Sequence, residues 1–199
     1  MKLSQIHSKY DTDKGTYHSY IEKYDEIFGP FQYEVFNFLE IGCLTCGSLK
    51  MFNEFFTKAH IYGIDNWVQN TDHIGHMLSN KGIDLEKIKQ DVDLHYPRVH
   101  LKTCDSTDPE QVKNRLADVK FKFIIDDGDH SPYAQLQTFK NFFPFLENDG
   151  VYIIEDVGNI HNLAQDIQSY LNTNCLLKKI DIYGWYKGNR ADDAILVIQ

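Results

Sequence analysis

Short apolar runs, each ended by acids, glycine or proline, set the rhythm of this chain. Residues 36–41, 59–64, Val99–Thr103, 121–125 and 150–154 are rich in Ile, Leu, Val and Phe. Short runs rich in such residues read as buried strands of a parallel sheet. Between them, apolar residues recur at helical spacing. Residues 48–57 place Met51, Phe52, Phe55 and Phe56 on one face, and residues 162–171 do the same with Leu163, Ile167, Tyr170 and Leu171. Pro109–Leu116 starts with Asp108 as an N-cap and a proline at the first helical position, and residues 133–146 form a further helix. Residues 70–93 carry two weakly helical, charged pieces that separate near Gly82. This alternation predicts an α/β fold: a mostly parallel sheet with helices on both faces. The last two runs, 176–182 and Ala194–Ile198, follow each other with no helix between them. They predict a closing hairpin with one antiparallel strand. Residues 1–30, polar, aromatic and helical in part, form an N-terminal segment ahead of the α/β domain at 31–199.

Composition narrows the function. A chain of 199 residues with 42% apolar and 25% charged residues suits one globular domain with a substantial core. A formal charge of −9 argues against nucleic acid as the main partner, because phosphate binding needs basic patches. No apolar run approaches the ~20 residues of a membrane span, and Met1–His7 lacks the apolar core of a signal peptide. A cytoplasmic, reducing compartment is expected. Of the four cysteines, Cys43, Cys104 and Cys175 lie in or beside predicted strands, where a free thiol packs as a small apolar group. Cys43 and Cys46 have the Cys-x-x-Cys spacing of redox sites. No second pair completes a zinc site, and the surrounding strand order is not that of a small redox domain.

The chemistry gathers where strands end. Ile124-Ile125-Asp126-Asp127-Gly128-Asp129-His130 and Val151-Tyr152-Ile153-Ile154-Glu155-Asp156 are both apolar runs that stop in acids. In an open α/β sheet, sites form at the carboxyl ends of strands. Two neighbouring strands would bring Asp127, Glu155 and Asp156 to one spot, where they repel one another unless a cation joins them. Oxygen-only ligands favour a hard ion such as Mg²⁺. His130, three residues beyond Asp127, is placed to take a proton from a metal-bound hydroxyl.

A second site is expected after the first strand, in Glu40-Ile41-Gly42-Cys43-Leu44-Thr45-Cys46-Gly47-Ser48. Gly42 and Gly47 permit a tight turn and close approach of a ligand, and Asp65, ending the next strand, suits the two hydroxyls of a ribose. The middle glycine of Gly-x-Gly-x-x-Gly is missing, so a pyrophosphate is disfavoured. S-adenosylmethionine carries ribose and adenine without phosphate, and its ammonium and ribose find acids in Glu40 and Asp65. Asp105 is placed to reach the adenine. Asp126 either faces the cofactor's ammonium or caps the following turn.

Taken together in order, these motifs resemble the class I S-adenosylmethionine-dependent methyltransferases, and among them the metal-dependent macrolide sugar O-methyltransferases of macrocin and mycinamicin type. The resemblance spans most of the chain: Asp11-Thr12-Asp13-Lys14-Gly15 with His18 and Tyr20; Phe38–Gly42 with Gly47, Ser48 and Leu49; Ile61–Asp65; Ile124–His130; Val151–Asp156; and Arg190-Ala191-Asp192-Asp193. It implies a Rossmann-like seven-stranded sheet, Mg²⁺ held by Asp127, Glu155 and Asp156, and His130 as general base. A related branch with an Asp-Gly-Asp pattern makes Asp129 the competing base. Cys46 stands where the resembled group usually has glycine. The N-terminal segment is expected to fold over the cofactor, with Lys14 near its carboxylate. Tyr183, Trp185 and Tyr186, with Trp67, offer flat faces for a sugar-containing small-molecule acceptor. The larger enzymes of the group carry extra N-terminal structure, which leaves a different acceptor or a homo-oligomer open. A catechol-like diol acceptor and a non-catalytic S-adenosylmethionine-binding protein are the alternatives; a nicotinamide oxidoreductase is disfavoured by the glycine pattern and the closing hairpin.

Overall fold

The computed structural model describes residues 1–67, 82–185 and 190–199. Seven strands form one sheet: β1 (Asn37–Ile41), β2 (His60–Asp65), β3 (Val99–Thr103), β4 (Phe121–Asp126), β5 (Leu146–Ile154), β6 (Ile180–Gly184) and β7 (Ala194–Ile198). Their order is β3-β2-β1-β4-β5-β7-β6. Strands β1 to β5 run parallel, and β7 runs antiparallel to both β5 and β6. The alternation and closing hairpin expected from the sequence are the observed architecture. The order reverses between β1 and β4, which opens a crevice at their carboxyl ends.

Period-two alternation divides the core into two layers. Phe38, Ile61, Phe123, Ile125 and Ile153 point to one face, covered by α1 (Leu3–Ile6), α2 (Ile21–Phe28), α3 (Gly47–Phe55) and α4 (Leu85–His95). Leu39, Ile124, Tyr152, Ile154 and Leu196 point to the other, covered by α5 (Pro109–Leu116), α6 (Pro132–Phe142) and α7 (Ile160–Thr173). The N-terminal segment is part of the first layer. Phe28 of α2 lies 5.0 Å from Phe123 and 5.8 Å from Phe38, ring to ring.

Helix starts follow local chemistry. Asp84 caps α4 through the amides of Glu86 and Lys87, and Asp108 caps α5 through those of Glu110 and Gln111. Ser131 caps α6 ahead of Pro132. The helix expected over 133–146 stops at Phe142, and a 3₁₀ turn, Phe143–Phe145, follows; Pro144 has no amide to continue the helical ladder. β5 starts at Leu146, pairing with Phe121, four residues before the expected start. β6 begins at Ile180 rather than at residue 176 because its register is dictated by β7, with Ile180 opposite Ile198. Of the two pieces expected in 70–93, the second forms α4, while residues 68–81 lie outside the described residues. Among the described residues no helix is long and apolar enough to cross a membrane.

Candidate active site

The acids are brought together by register. β4 and β5 are adjacent and parallel, with Asp126 opposite Ile154. Beyond the strands the backbone stays paired: the Asp127 amide donates to the Ile41 carbonyl at 2.9 Å, and the Glu155 amide to the Asp126 carbonyl at 2.9 Å. Alternation then decides which way each side chain turns. Glu40 follows Phe38 in parity, Asp127 follows Ile125, and Glu155 follows Ile153. All three therefore face the layer that contains the N-terminal segment.

Lys14 meets them there. Its side chain is 1% exposed, and Nζ lies 2.6 Å from Asp127 Oδ2, 2.8 and 2.9 Å from the two Glu155 oxygens and 3.2 Å from Glu40 Oε1. Burial alone would favour loss of its proton, but the charges of Asp127, Glu155 and Glu40 hold its pKa well above the ordinary value. The Tyr24 hydroxyl donates to Glu155 Oε1, so both Glu155 oxygens are engaged. Glu40 Oε2 accepts from the Ser48 hydroxyl at 2.6 Å.

Asp156 takes another course. Its φ is 53°, in the left-handed region that L side chains seldom adopt. Its Oδ1 accepts from the Tyr20 hydroxyl at 2.5 Å and lies 3.3 Å from His18 Nδ1. Its Oδ2 turns to His130, 3.6 Å from Nδ1, while His130 Nε2 lies 3.4 Å from Asp127 Oδ1. Ligand atoms of Asp127, His130 and Asp156 thus lie within 4.8 Å of one another, the one such group among the described residues. Glu155, expected in that set, is placed instead against Lys14 and Tyr24. Burial would lower the His130 pKa, but the hydrogen bond and charge of Asp127, with Asp156, raise it to about 9. The burial of Asp127 is outweighed by Lys14 and His130, which hold its pKa below the ordinary value.

A cavity of about 810 Å³ opens beside this group. Asp11 to Lys14, the β1–α3 loop, Asp65 to Trp67, Cys104 to Thr107 and Asp127 to His130 form its walls. Gly42 has φ 82°, and a Cβ there would lie 2.1 Å from the Asp127 carbonyl oxygen. A Cβ on Gly47 would lie 1.8 Å from the Asp11 carbonyl oxygen, so this glycine lets the N-terminal segment close one wall. Cys46, between them, has φ 60°, a conformation that favours glycine.

The expected cofactor residues divide into two sets. Gly42, Gly47, Ser48, Asp65, Asp105 and Lys14 line the cavity, as do Asp129 and His130. Asp65 accepts from the amides of Leu44 and Trp67 at 2.9 and 2.7 Å, and Asp105 accepts from Thr107. Glu40 and Asp126 are buried behind the wall. Asp126 Oδ1 accepts from the Gly128 amide at 3.3 Å, Oδ2 has no hydrogen-bond partner among the described residues, and burial raises the pKa to about 8. Asp129 Oδ1 accepts from the Ser131 amide at 2.8 Å. Of the aromatics, Trp67 lines the cavity, whereas Trp185 packs 5.6 Å from Tyr20; Tyr186 lies outside the described residues.

Tyr24 escaped the sequence reading as a site residue. With Tyr20 and Phe28 it marks one stripe of a helix, the pattern of a plain core face. The available signal is the hydroxyl itself, since a buried tyrosine needs a partner.

No family model matches the chain. It is 27% identical over 164 residues to the 8-demethyl-8-alpha-L-rhamnosyl tetracenomycin-C 2'-O-methyltransferase of Streptomyces olivaceus, covering 78% of this chain and 37% of that enzyme. It is 27% identical over 166 residues to the mycinamicin VI 2''-O-methyltransferase of Micromonospora griseorubida, covering 78% of this chain and 36% of that enzyme. The chain thus spans a little over a third of the length of the curated relatives it matches. Among solved structures, the MycE methyltransferase of the mycinamycin pathway, in complex with Mg and SAH, superposes with a TM-score of 0.70 at 22% identity, over 100% of this chain and 54% of that protein. The chain therefore has the seven-stranded methyltransferase fold, and the proteins it resembles in sequence are O-methyltransferases that act on glycosylated compounds such as rhamnosyl tetracenomycin-C and mycinamicin VI, in keeping with the resemblance its motifs carry.

Proposed function

We propose that the protein is a Mg²⁺-dependent O-methyltransferase that moves a methyl group from S-adenosylmethionine to a hydroxyl of a sugar or sugar-containing metabolite. The observation that carries this reading is the meeting of the Asp127, His130 and Asp156 group with the wall of the cavity that holds Asp65 and the β1–α3 loop. Similarity to sugar O-methyltransferases supports it.

The residues fit both groups. Carboxylates turned toward one point, with an imidazole alongside, offer oxygen ligands for a divalent cation. Asp65 and Asp105 stand on the cavity wall as acceptors, and a carboxylate that takes two backbone or side-chain donors retains lone pairs for ribose or adenine. Gly42 and Gly47 keep the wall bare of side chains. Glu40 acts from behind it, through Ser48 and Lys14. We assign the metal to Asp127, Glu155 and Asp156, with His130 beside them; in this structure Lys14 and Tyr24 engage Glu155.

A divalent ion bound there supplies Lewis acidity to an acceptor oxygen, and the sulfonium of the cofactor supplies the activated methyl. This chain's residues do the rest. The cavity walls give the donor and acceptor a shared place beside His130. His130 accepts the hydroxyl proton. The charges of Asp127 and Asp156 favour the protonated imidazole; a cation held by these carboxylates would weaken that preference and leave His130 able to take the proton. Asp129 is less available for that role, because its Oδ1 already accepts from the Ser131 amide. Burial of three thiols and the net charge of −9 support a reducing cytoplasm and a small-molecule acceptor rather than nucleic acid.

The test is methyl transfer from S-adenosylmethionine across a panel of glycosides, with Mg²⁺ or with chelator. Product is expected with the ion and not without it. Asp127→Ala is expected to abolish turnover while calorimetry still detects S-adenosylmethionine binding. Equal rates in chelator and in Mg²⁺ would overturn the metal reading.

A further inference from the structure

β6 ends the sheet, and among the described residues no strand lies beyond it. The ladder to β7 tells its two edges apart. Lys179 and Gln199 exchange both backbone hydrogen bonds, at 2.7 and 3.0 Å, and the Trp185 amide donates to the Asp193 carbonyl at 2.9 Å. In an antiparallel pair such exchanges fall on every second residue. Odd-numbered residues of β6 therefore turn their amides and carbonyls to β7, while Lys178, Ile180 and Ile182 turn theirs outward. An outward row of this kind is a template for another strand. Apolar side chains stand beside it, with Leu177 99% exposed and Ile182 39%. Lysines often guard a free edge, and two are adjacent here. The Lys178 ammonium, however, donates to the Asn148 carbonyl of its own chain at 2.7 Å. Lys179 Nζ lies 2.9 Å from Asp181 Oδ2, an acid on the same face of the strand.

We propose that the outer edge of β6 docks β6 of a second copy of this chain, antiparallel about a twofold axis at Ile180, so that two sheets join into one. This register satisfies backbone and side chains together. With Ile180 opposite the partner's Ile180, Lys178 falls opposite the partner's Ile182. These residues all turn their backbone groups outward, as hydrogen-bonded pairs require. Lys179 then falls opposite the partner's Asp181, and Asp181 opposite the partner's Lys179. Both are non-hydrogen-bonded positions, where side chains lie closest and opposite charges stabilise the pairing. On the same face, Leu177 meets the partner's Tyr183. Moving the axis to Ile182 or to Lys178 keeps the backbone parity but loses both ion pairs: Asp181 then faces Tyr183, or Lys179 faces Leu177. The charge pattern is thus self-complementary in one register, as a twofold contact demands. A ladder this short makes a weak, concentration-dependent dimer. The hairpin it stiffens also braces the N-terminal segment, since Trp185 packs 5.6 Å from Tyr20 and Asp193 accepts from the Ser19 amide at 3.1 Å. The dimer does not depend on the methyl-transfer reading.

The test is sedimentation velocity of the full chain over a wide range of protein concentration, with reductant present because Cys175 is exposed. A shift from monomer to dimer with rising concentration is expected. Ile182→Pro removes an outward amide that β7 does not use, and is expected to weaken dimerisation at least ~10-fold while the protein still melts cooperatively. Lys179→Asp and Asp181→Lys each set like charges opposite one another across the axis, and each is expected to weaken self-association ~10-fold. An equimolar mixture of these two variants puts opposite charges back at both positions, and is expected to dimerise as the wild type does. That recovery is specific to the Ile180 register. A chain that stays monomeric at every concentration leaves the edge to a strand of another protein and overturns the proposal. So does a dimer indifferent to Ile182→Pro, or a mixture that associates no more tightly than its components. Should Ile182→Pro fail to fold, the charge-reversal mixture decides alone.

Discussion

Single hydroxyls and single backbone angles organise the acidic edge. Tyr24 is fully buried, and its hydroxyl donates to the buried Glu155. Tyr24→Phe keeps the ring packed against Phe28 and Phe52 and removes only the donor. The expected cost is ~1.5–3 kcal/mol, the range for a hydrogen bond to a charged group, read as a lower urea midpoint with an unchanged slope. Asp156 shows the same economy of means in its backbone. A left-handed residue at the end of a strand is held at a cost of ~1–3 kcal/mol. Here it swings the carboxylate out of the strand's alternation and toward His130, whereas its neighbour Glu155 keeps the strand's parity and meets Lys14.

At the scale of elements, α2 is both a wall of the core and a carrier of site residues. Phe28 touches the rings of Phe38, Phe52, Phe56 and Phe123. Phe28→Ala is expected to cost ~3–5 kcal/mol through lost burial and the cavity left behind. Calorimetric melting reads that loss, and weaker S-adenosylmethionine binding is expected alongside it, because α2 and the Lys14 turn are one segment. A second tether holds the chain start to α3: Glu54 accepts from Lys9 at 2.7 Å and from the Tyr10 hydroxyl. The Lys9 and Tyr10 hydrogen bonds depress the Glu54 pKa below its ordinary value. A depressed folded-state pKa gives stability that is complete above the unfolded value, ~4.3 for a glutamate, and that fades as pH falls through the folded one. Limited proteolysis near residues 9 to 20 should therefore accelerate below about pH 4, and Glu54→Gln should remove that pH dependence.

The whole molecule is a sheet whose strand order opens a crevice between β1 and β4 and fills it from one side with the chain start. Acids from three strands and a lysine from outside the sheet are held together by the fold. A divalent ion that binds the folded state and not the unfolded chain stabilises by mass action, about 2.7 kcal/mol at 100 times its dissociation constant. For a domain of this length that corresponds to ~5–10 °C in the melting midpoint. Mg²⁺ or Mn²⁺ is expected to produce this rise, excess chelator to reverse it, and Asp127→Ala to abolish it. An unchanged midpoint in the wild type would argue that the acidic edge takes no ion.

What the sequence by itself determined was whatever local pattern controls. Strands buried on both faces, such as β4 and β7, are mostly apolar runs; these, with β1, β2 and β3, were legible within a residue or so at each end. Asp108 and Pro109 marked the start of α5 in the same way. The clustering of acids at the ends of β4 and β5 followed from parallel order alone. Boundaries set by a partner were not legible: β6 takes its register from β7, and the early start of β5 comes from pairing with β4. The division of labour among the acids was also out of reach. Glu155 and Asp156 are adjacent in sequence and look equivalent there. Only the tertiary structure brings Lys14 and Tyr24 onto one, and Tyr20 and His130 onto the other. Those partners come from segments far apart along the chain, and the side of the sheet on which each carboxylate emerges is fixed by strand parity and one backbone angle.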